Sequence, residues 1–279
     1  MFKFRYLPSN FIGIRSIGAV STYHGFDKTS ILNPRSFTEN IYKLEHQNKM
    51  IIQPKWDFNW DKRGLVKQMG LKSNEDEENE IDILPKSSRH IILIRHGHYN
   101  KGGESDKEMV LTKLGIDQAM MTGKRLKELE IPYNEIVHST MTRAVETAKI
   151  ISSHIPDVPV KDCMLLEEGS PIPPEPPMTN WKSPYKFHQD GARIEAAFRK
   201  YFHRAEPHQQ NDTYTIVVCH ANVIRYFVCR ALQYPAEGWL RLTLRHASMT
   251  WLTIEGSGKV VLITYGDTGY MPPYALTTV

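Results

Sequence analysis

Arg95, His96, Arg143, Glu168 and His220 share one kind of place in this sequence: each follows, within a few residues, a short apolar run with the pattern of a buried strand. His90-Ile-Ile-Leu-Ile94 leads into Arg95-His96-Gly97, and Tyr214-Thr-Ile-Val-Val-Cys219 leads into His220. Glu135-Ile-Val-His138 precedes Ser139-Thr-Met-Thr-Arg143, and a run over 161–166 precedes Glu167-Glu168-Gly169. In a parallel-rich sheet such strand ends converge on one edge, where open α/β folds build ligand sites. Two arginines, two histidines and one acid meeting there suit phosphoryl transfer without a metal or other cofactor. Fixed cations stabilise the charge spread over the phosphoryl oxygens. Arg95 and Arg143 can each bind two oxygens in a fork, which lysine cannot. A neutral imidazole nitrogen can attack phosphorus and split hydrolysis into two steps through a phosphohistidine. A carboxylic acid can protonate the leaving oxygen and later activate water.

Each residue also has a plainer reading. Arg143, in the first turn of a helix, could be a surface cation, and His220 a satisfied core histidine. Glu167 and Glu168 could both be solvated turn residues. His98 raises a metal reading with His220, but that pair lacks a third ligand at recognisable spacing, so no metal is expected. Gly97 permits a sharp turn and close approach of a ligand to the backbone.

The elements that must position these groups follow from His90 onward. Helices are predicted over 112–130, capped by Thr112 and ended by Pro132, and over 144–155, stopped by Pro156. Two more are predicted over 190–206 and 222–232. Between Glu168 and the third helix, Ser170-Pro-Ile-Pro-Pro-Glu-Pro-Pro177 is too rich in proline for helix or interior strand and reads as a stiff loop over the site. Such a loop would exclude water and raise the acid's pKa. Residues 242–254 and 259–265 form a predicted hairpin around Glu255-Gly-Ser-Gly258. The expected fold is an α/β three-layer sandwich with a mostly parallel central sheet, preceded by an extended N-terminal arm.

That arm, residues 27–88, lacks periodicity and ends in an acidic linker, 75–82, which holds six acids and no base. The chain's net charge is +4, so the remainder carries +4 + 6 = +10. A basic body suits an anionic substrate, and equally a solvated surface with surplus lysines. No dense Lys/Arg stripe interleaved with aromatics supports nucleic-acid binding. Cys163, Cys219 and Cys229 form no CxxC pair and no even-numbered framework, so a reducing compartment is the default. Within the arm, Trp56-Asp57-Phe58-Asn59-Trp60-Asp61 places three aromatics in five residues. Aromatics at this density dock somewhere, on the chain's own body or on a partner. Residues 1–26 carry Lys3, Arg5 and Arg15 among apolar residues, with no acid before Asp27. That is the pattern of a mitochondrial targeting segment, or of an ordinary terminus. No run of about 20 apolar residues exists, so a spanning helix is not predicted.

Arg95-His96-Gly97, Arg143 in Ser-Thr-Met-Thr-Arg-Ala-Val-Glu-Thr-Ala, and Cys219-His220-Ala-Asn resemble the histidine phosphatase superfamily, the phosphoglycerate mutase-like proteins. More narrowly, the chain resembles that superfamily's mitochondrial serine/threonine protein phosphatases, over roughly residues 50–279. Supporting stretches are the aromatic motif of residues 56–61, Glu168-Gly169-Ser170-Pro171, Asp190-Gly-Ala-Arg-Ile-Glu-Ala-Ala-Phe198, His220-Ala-Asn-Val-Ile-Arg-Tyr226, Glu237-Gly-Trp-Leu-Arg-Leu242 and Gly266-Asp-Thr-Gly-Tyr-Met-Pro-Pro273.

The resemblance implies a histidine phosphatase catalytic domain over 89–266 and a C-terminal tail, 267–279, that supports assembly and the active conformation. It implies that His96 accepts the phosphoryl group, that Arg95, Arg143 and His220 hold phosphate, and that Glu168, preceding the glycine, is the acid in preference to Glu167. Trp56, Asp57, Phe58, Asn59, Trp60 and Asp61 would form a multimerisation motif that docks on neighbouring subunits and switches on activity. The implied partners are proteins phosphorylated on serine or threonine, stress-signalling kinases among them, and further copies of the chain in dimers or larger assemblies. The implied location is mitochondrial, at the outer membrane, with the cytoplasm as the alternative because no spanning segment is supplied. Between Glu168 and His220 the chain is shorter than in true phosphoglycerate mutases, which favours a hydrolase of bulky phosphoproteins. A scaffold assembled through the aromatic motif, and a small-molecule phosphatase or mutase, are the competing readings.

Overall fold

Strand side chains alternate between two faces, and in this chain both faces are apolar. A computed structural model describes residues 56–63, 85–179 and 182–278. Strand β1 (Arg89–Arg95) points Ile91 and Leu93 into one core cluster and Ile92 and Ile94 into another. Strand β4 (Thr213–Cys219) divides in the same way, Val217 and Cys219 against Ile216 and Val218. Helices must therefore cover both faces, as expected where strands are parallel and buried. Helices α1 (Lys113–Glu128) and α2 (Thr142–Ser152) cover one face, through Leu126, Ala148 and Ile151. Helices α3 (Pro184–Tyr201) and α4 (Ala221–Ala231) cover the other, through Ile194, Phe198, Val223, Ile224 and Phe227. The result is the expected three-layer α/β arrangement.

With β2 (Glu135–His138), β3 (Val160–Asp162), β5 (Met249–Ile254) and β6 (Val260–Asp267), the sheet order is β3-β2-β4-β1-β5-β6. β3, β2, β4 and β1 are mutually parallel, while β5 runs antiparallel to β1 and to β6. Arg95 lies opposite Cys219, and His138 opposite Val218. The next residue of each strand, His96, His220 and Ser139, therefore emerges on one sheet edge.

Three elements differ from the sequence expectation. Helix α3 starts at Pro184 rather than 190, because Ser183 accepts a hydrogen bond from Lys186 N and proline suits the first helical position. The strand expected over 161–166 is only Val160–Asp162. Its apolar remainder is a 3-10 turn, Met164–Leu166, whose Leu166 plugs the core. The strand expected from 242 begins at Met249, after a 3-10 turn (Ala236–Arg241) and a left-handed Ala247 at φ 54°. The acidic linker 75–82, the segment 1–26 and residues 27–55 lie outside the described residues.

Residues 56–63 lie against the body. Asp57 N donates to Gln233 Oε1 at 2.9 Å, and Trp60 Nε1 donates to Gly258 O at 2.7 Å. The Asp61 carboxylate takes hydrogen bonds from Arg204 N and Nη2, both at 2.8 Å, and the pair is almost wholly buried. Gly258 joins β5 to β6, and β5 ends at Ile254 opposite Arg89, where β1 begins. The segment is thus seated on the sheet edge opposite to that of His96 and His220.

Candidate active site

His96 and His220 leave adjacent strands side by side, their ring centroids 5.1 Å apart, and both are buried. His96 N donates to Cys219 O at 3.0 Å, which extends the β1–β4 ladder one residue past the strand. The His96 ring has two polar neighbours: Nδ1 meets Gly97 O at 2.8 Å and Nε2 meets Arg143 Nε at 3.2 Å. A guanidinium can only donate, so Nε2 accepts and the proton sits on Nδ1. Burial, together with His220, Arg143 and Arg95, holds the imidazole well below its ordinary pKa. His96 is therefore neutral near pH 7, with its Nε2 lone pair turned toward the arginine.

Arg143 reaches His96 from the first turn of α2, and its guanidinium stacks 4.7 Å from the Tyr99 ring centroid. Nη1 lies 3.6 Å from Asp106 Oδ1. The helix start is fixed by neighbours that sequence reasoning did not single out. Asp106 Oδ2 accepts from Thr142 N at 2.9 Å, and Thr147 Oγ1 ties Gly97 N to Arg143 O. His220 Nε2 lies 2.8 Å from Ser139 Oγ, which follows β2 as His96 follows β1. Burial, with Arg143 next in weight, keeps His220 neutral as well.

Arg95 is turned differently from a residue offering its whole fork to phosphate. Nη1 donates to Leu244 O at 2.6 Å and Thr278 O at 2.7 Å, and Nη2 to His246 Nε2 at 3.0 Å. What stays open is the side carrying Nε. Buried polar atoms almost always find partners. Yet Arg95 Nε, Arg143 Nη1 and His220 Nδ1 are buried and make no hydrogen bond. The two arginine atoms are N–H donors, and all three atoms belong to the residues flanking His96.

The two candidate acids separate. Glu167 Oε1 accepts from Thr140 Oγ1 at 2.5 Å. The Glu168 carboxyl lies in the field of Arg143, Arg95 and Arg225, yet burial outweighs them and raises its pKa above the usual carboxylate range. Its backbone is fastened from α3: Arg193 Nη1 donates to Leu165 O at 2.9 Å and Glu167 O at 2.6 Å, and Nη2 to Glu168 O at 3.0 Å. Asn222 Nδ2 adds a bond to Gly169 O at 3.1 Å. The proline-rich loop leaves this turn and is tied to the 3-10 turn at 236–241, where Trp239 Nε1 donates to Ile172 O at 3.1 Å.

Gly97 has a role other than the expected sharp turn. A Cβ there would lie 2.5 Å from Gly115 O, and one on Gly115 would lie 1.9 Å from His98 O. The two glycines let the start of α1 close directly onto the backbone that carries His96. His98 bonds Thr112 Oγ1 at 2.9 Å through Nδ1 and does not join His220. Among the described residues no group of three or more His, Cys, Asp or Glu side chains is arranged to hold a metal. The three cysteines are buried and unpaired.

The model of the histidine phosphatase superfamily (branch 1) matches residues 91–170 and 173–267. The mitochondrial serine/threonine-protein phosphatase PGAM5 of Mus musculus is 51% identical over 230 residues, covering 80% of this chain and 80% of that protein. Its counterpart in Drosophila persimilis is 53% identical over 232 residues, with 80% of each chain covered. Among solved structures, the product of the open reading frame Rv3214 from Mycobacterium tuberculosis has a TM-score of 0.50 at 22% identity, over 65% of this chain and 98% of that one. This last likeness is one of fold.

Proposed function

Because the chain belongs to the histidine phosphatase superfamily, branch 1, we propose that it hydrolyses phosphoserine and phosphothreonine in proteins through a phosphohistidine on His96. One observation carries the mechanism: the buried, unpartnered atoms Arg95 Nε, Arg143 Nη1 and His220 Nδ1 flank a histidine whose Nε2 is unprotonated. A phosphoryl group placed among them offers oxygens to all three while its phosphorus faces Nε2. The Nε2 lone pair forms the N–P bond, the P–O bond to the seryl or threonyl oxygen breaks, and that oxygen takes the proton of Glu168. Water then attacks phosphorus, Glu168 accepts its proton, and the N–P bond breaks to release inorganic phosphate. The site holds its charges fixed before the reaction, so little reorganisation accompanies the transfer.

Serine/threonine specificity rests on the curated relatives, which are named for it. Signalling kinases as substrates, and activation by multimerisation through residues 56–61, rest on the resemblance of that motif and complete the proposal. Mitochondrial location follows the relatives' names and the basic, acid-poor start of the chain. Outer-membrane association belongs to the same proposal. Among the described residues no helix is long and apolar enough to cross a membrane.

Acid-quench trapping with a labelled phosphoserine peptide tests the mechanism. Wild type should retain label in an acid-labile, base-stable bond, the signature of a phosphoramidate, and His96→Ala should neither trap label nor turn over. Turnover by His96→Ala at the wild-type rate would remove His96 from the chemistry. Absence of both trapping and turnover in the assembled wild type would favour the scaffold reading.

A further inference from the structure

We infer that His246 is a positioning residue for phosphate binding, acting through Arg95; this rests on the phosphate site proposed above. His246 is fully buried and follows no predicted strand, and its ring centroid lies 5.7 Å from that of His96. Its hydrogen bonds run in one direction only. Arg95 Nη2 can only donate, so His246 Nε2 must be the acceptor across their 3.0 Å contact. The single proton of the neutral ring is then on Nδ1, which donates to Thr277 Oγ1 at 2.8 Å. Thr277 Oγ1 also accepts from Gln118 Nε2 at 2.8 Å, and Gln118 Oε1 in turn accepts from His98 N at 2.8 Å. The chain of bonds starts on the backbone two residues past His96 and returns to the residue before it. Burial, with Arg95 next, pushes the His246 pKa down to about 3, so the acceptor persists across the working pH range.

The geometry of a guanidinium shows what this does. Nη1 has two protons, taken by Leu244 O and Thr278 O. Nη2 has two protons, and His246 takes one. The other Nη2 proton and the buried Nε–H, which has no hydrogen-bond partner, are left for a ligand. N–H groups of one guanidinium can bind two oxygens of a phosphate. Without an acceptor at the position of His246 Nε2, the guanidinium is held only through Nη1, by Leu244 O and Thr278 O, and Nε and Nη2 are free to swing about that anchor. A protonated or apolar side chain there would not serve, whereas a glutamine carbonyl would.

The test uses the full chain, vanadate as a phosphate mimic, and the variants His246→Leu and His246→Gln. His246→Leu should weaken vanadate inhibition and kcat/KM about 10- to 100-fold, as loss of a supporting hydrogen bond to a binding group does, and His246→Gln should restore both to within about threefold. A structural role alone would lower the melting temperature of both variants without this split. Nitrogen-15 spectra of the wild-type protein give a readout that does not depend on a variant folding. His246 should carry its proton on Nδ1, and vanadate should shift the Arg95 Nε–H signal. Vanadate that leaves Arg95 unmoved overturns the phosphate site and this inference with it. A wild type that responds, while His246→Leu binds vanadate as tightly or His246 carries its proton on Nε2, overturns this inference alone.

Discussion

A histidine nucleophile must be uncharged and an acid catalyst must be protonated at the same pH, and their ordinary pKa values run the other way. Burial reverses both here, since desolvation disfavours whichever form carries charge. It holds His96 well below 6.5 and lifts Glu168 above 4.5. With phosphoserine peptide, kcat/KM should therefore show no loss from His96 protonation as pH falls through 6.5. It should decline as pH rises through the raised pKa of Glu168, where the acid becomes carboxylate. Glu168→Gln should cost about 10²–10⁴-fold on phosphoserine, the usual worth of a positioned acid, and remove that declining limb. An aryl phosphate with a strongly acidic leaving group needs no proton, so the same variant should be nearly unimpaired in the first step on that substrate. Equal loss on both substrates would deny Glu168 the role of acid. Five of the residues at this edge were legible in the sequence because each follows an apolar run. Ser139 obeys the same rule and could have been read from it. His246 could not: it meets Arg95 across 151 positions, and only the closed sheet brings them together.

The elements do more than carry side chains to an edge. Helix α3 supplies Arg193, whose two terminal nitrogens hold the carbonyls of Leu165, Glu167 and Glu168 from one side, while α4 supplies Asn222 to Gly169 from the other. The acid sits on a turn, and these bonds give the turn the rigidity a strand would have. Arg193→Ala should lower kcat on phosphoserine about tenfold or more. Vanadate inhibition should be unchanged, because Arg95, Arg143 and His220 are positioned by other elements. Parallel losses in both would mean that Arg193 supports the whole core instead. Helix α3 begins at Pro184, six residues before the Asp190 that the sequence pattern predicts. The Ser183 cap and Pro184 mark the true start, but the preceding prolines made the whole stretch look like loop. The run at 161–166 misled in the opposite sense. Its apolar residues are buried as a 3-10 plug, and pattern alone does not distinguish a plug from a short strand.

At the scale of the molecule, the aromatic motif and the chemistry occupy opposite edges of one sheet. Residues 56–63 are seated where β1 begins, against Gly258, Arg204 and Gln233, while His96 stands where β1 ends. The motif therefore makes no part of the site around His96, and the core and assembly are the routes by which it would act on catalysis. Trp60 meets the core at Phe198, with ring centroids 5.8 Å apart, while Phe58 is 56% exposed. Asp61 and Arg204 form a buried ion pair, and removing one partner of such a pair costs about 3–5 kcal/mol because the other charge is left uncompensated. Trp60→Ala is thus the cleaner probe, since it leaves that pair in place. It should reduce both the sedimenting mass and kcat/KM at equal chain concentration, and wild-type specific activity should rise with concentration over the range where mass rises. If sedimentation is unchanged, the assembly role fails. Activity lost without a change in mass would then trace to the contact between Trp60 and Phe198, and so to the packing of α3, the helix that fixes the turn of Glu168.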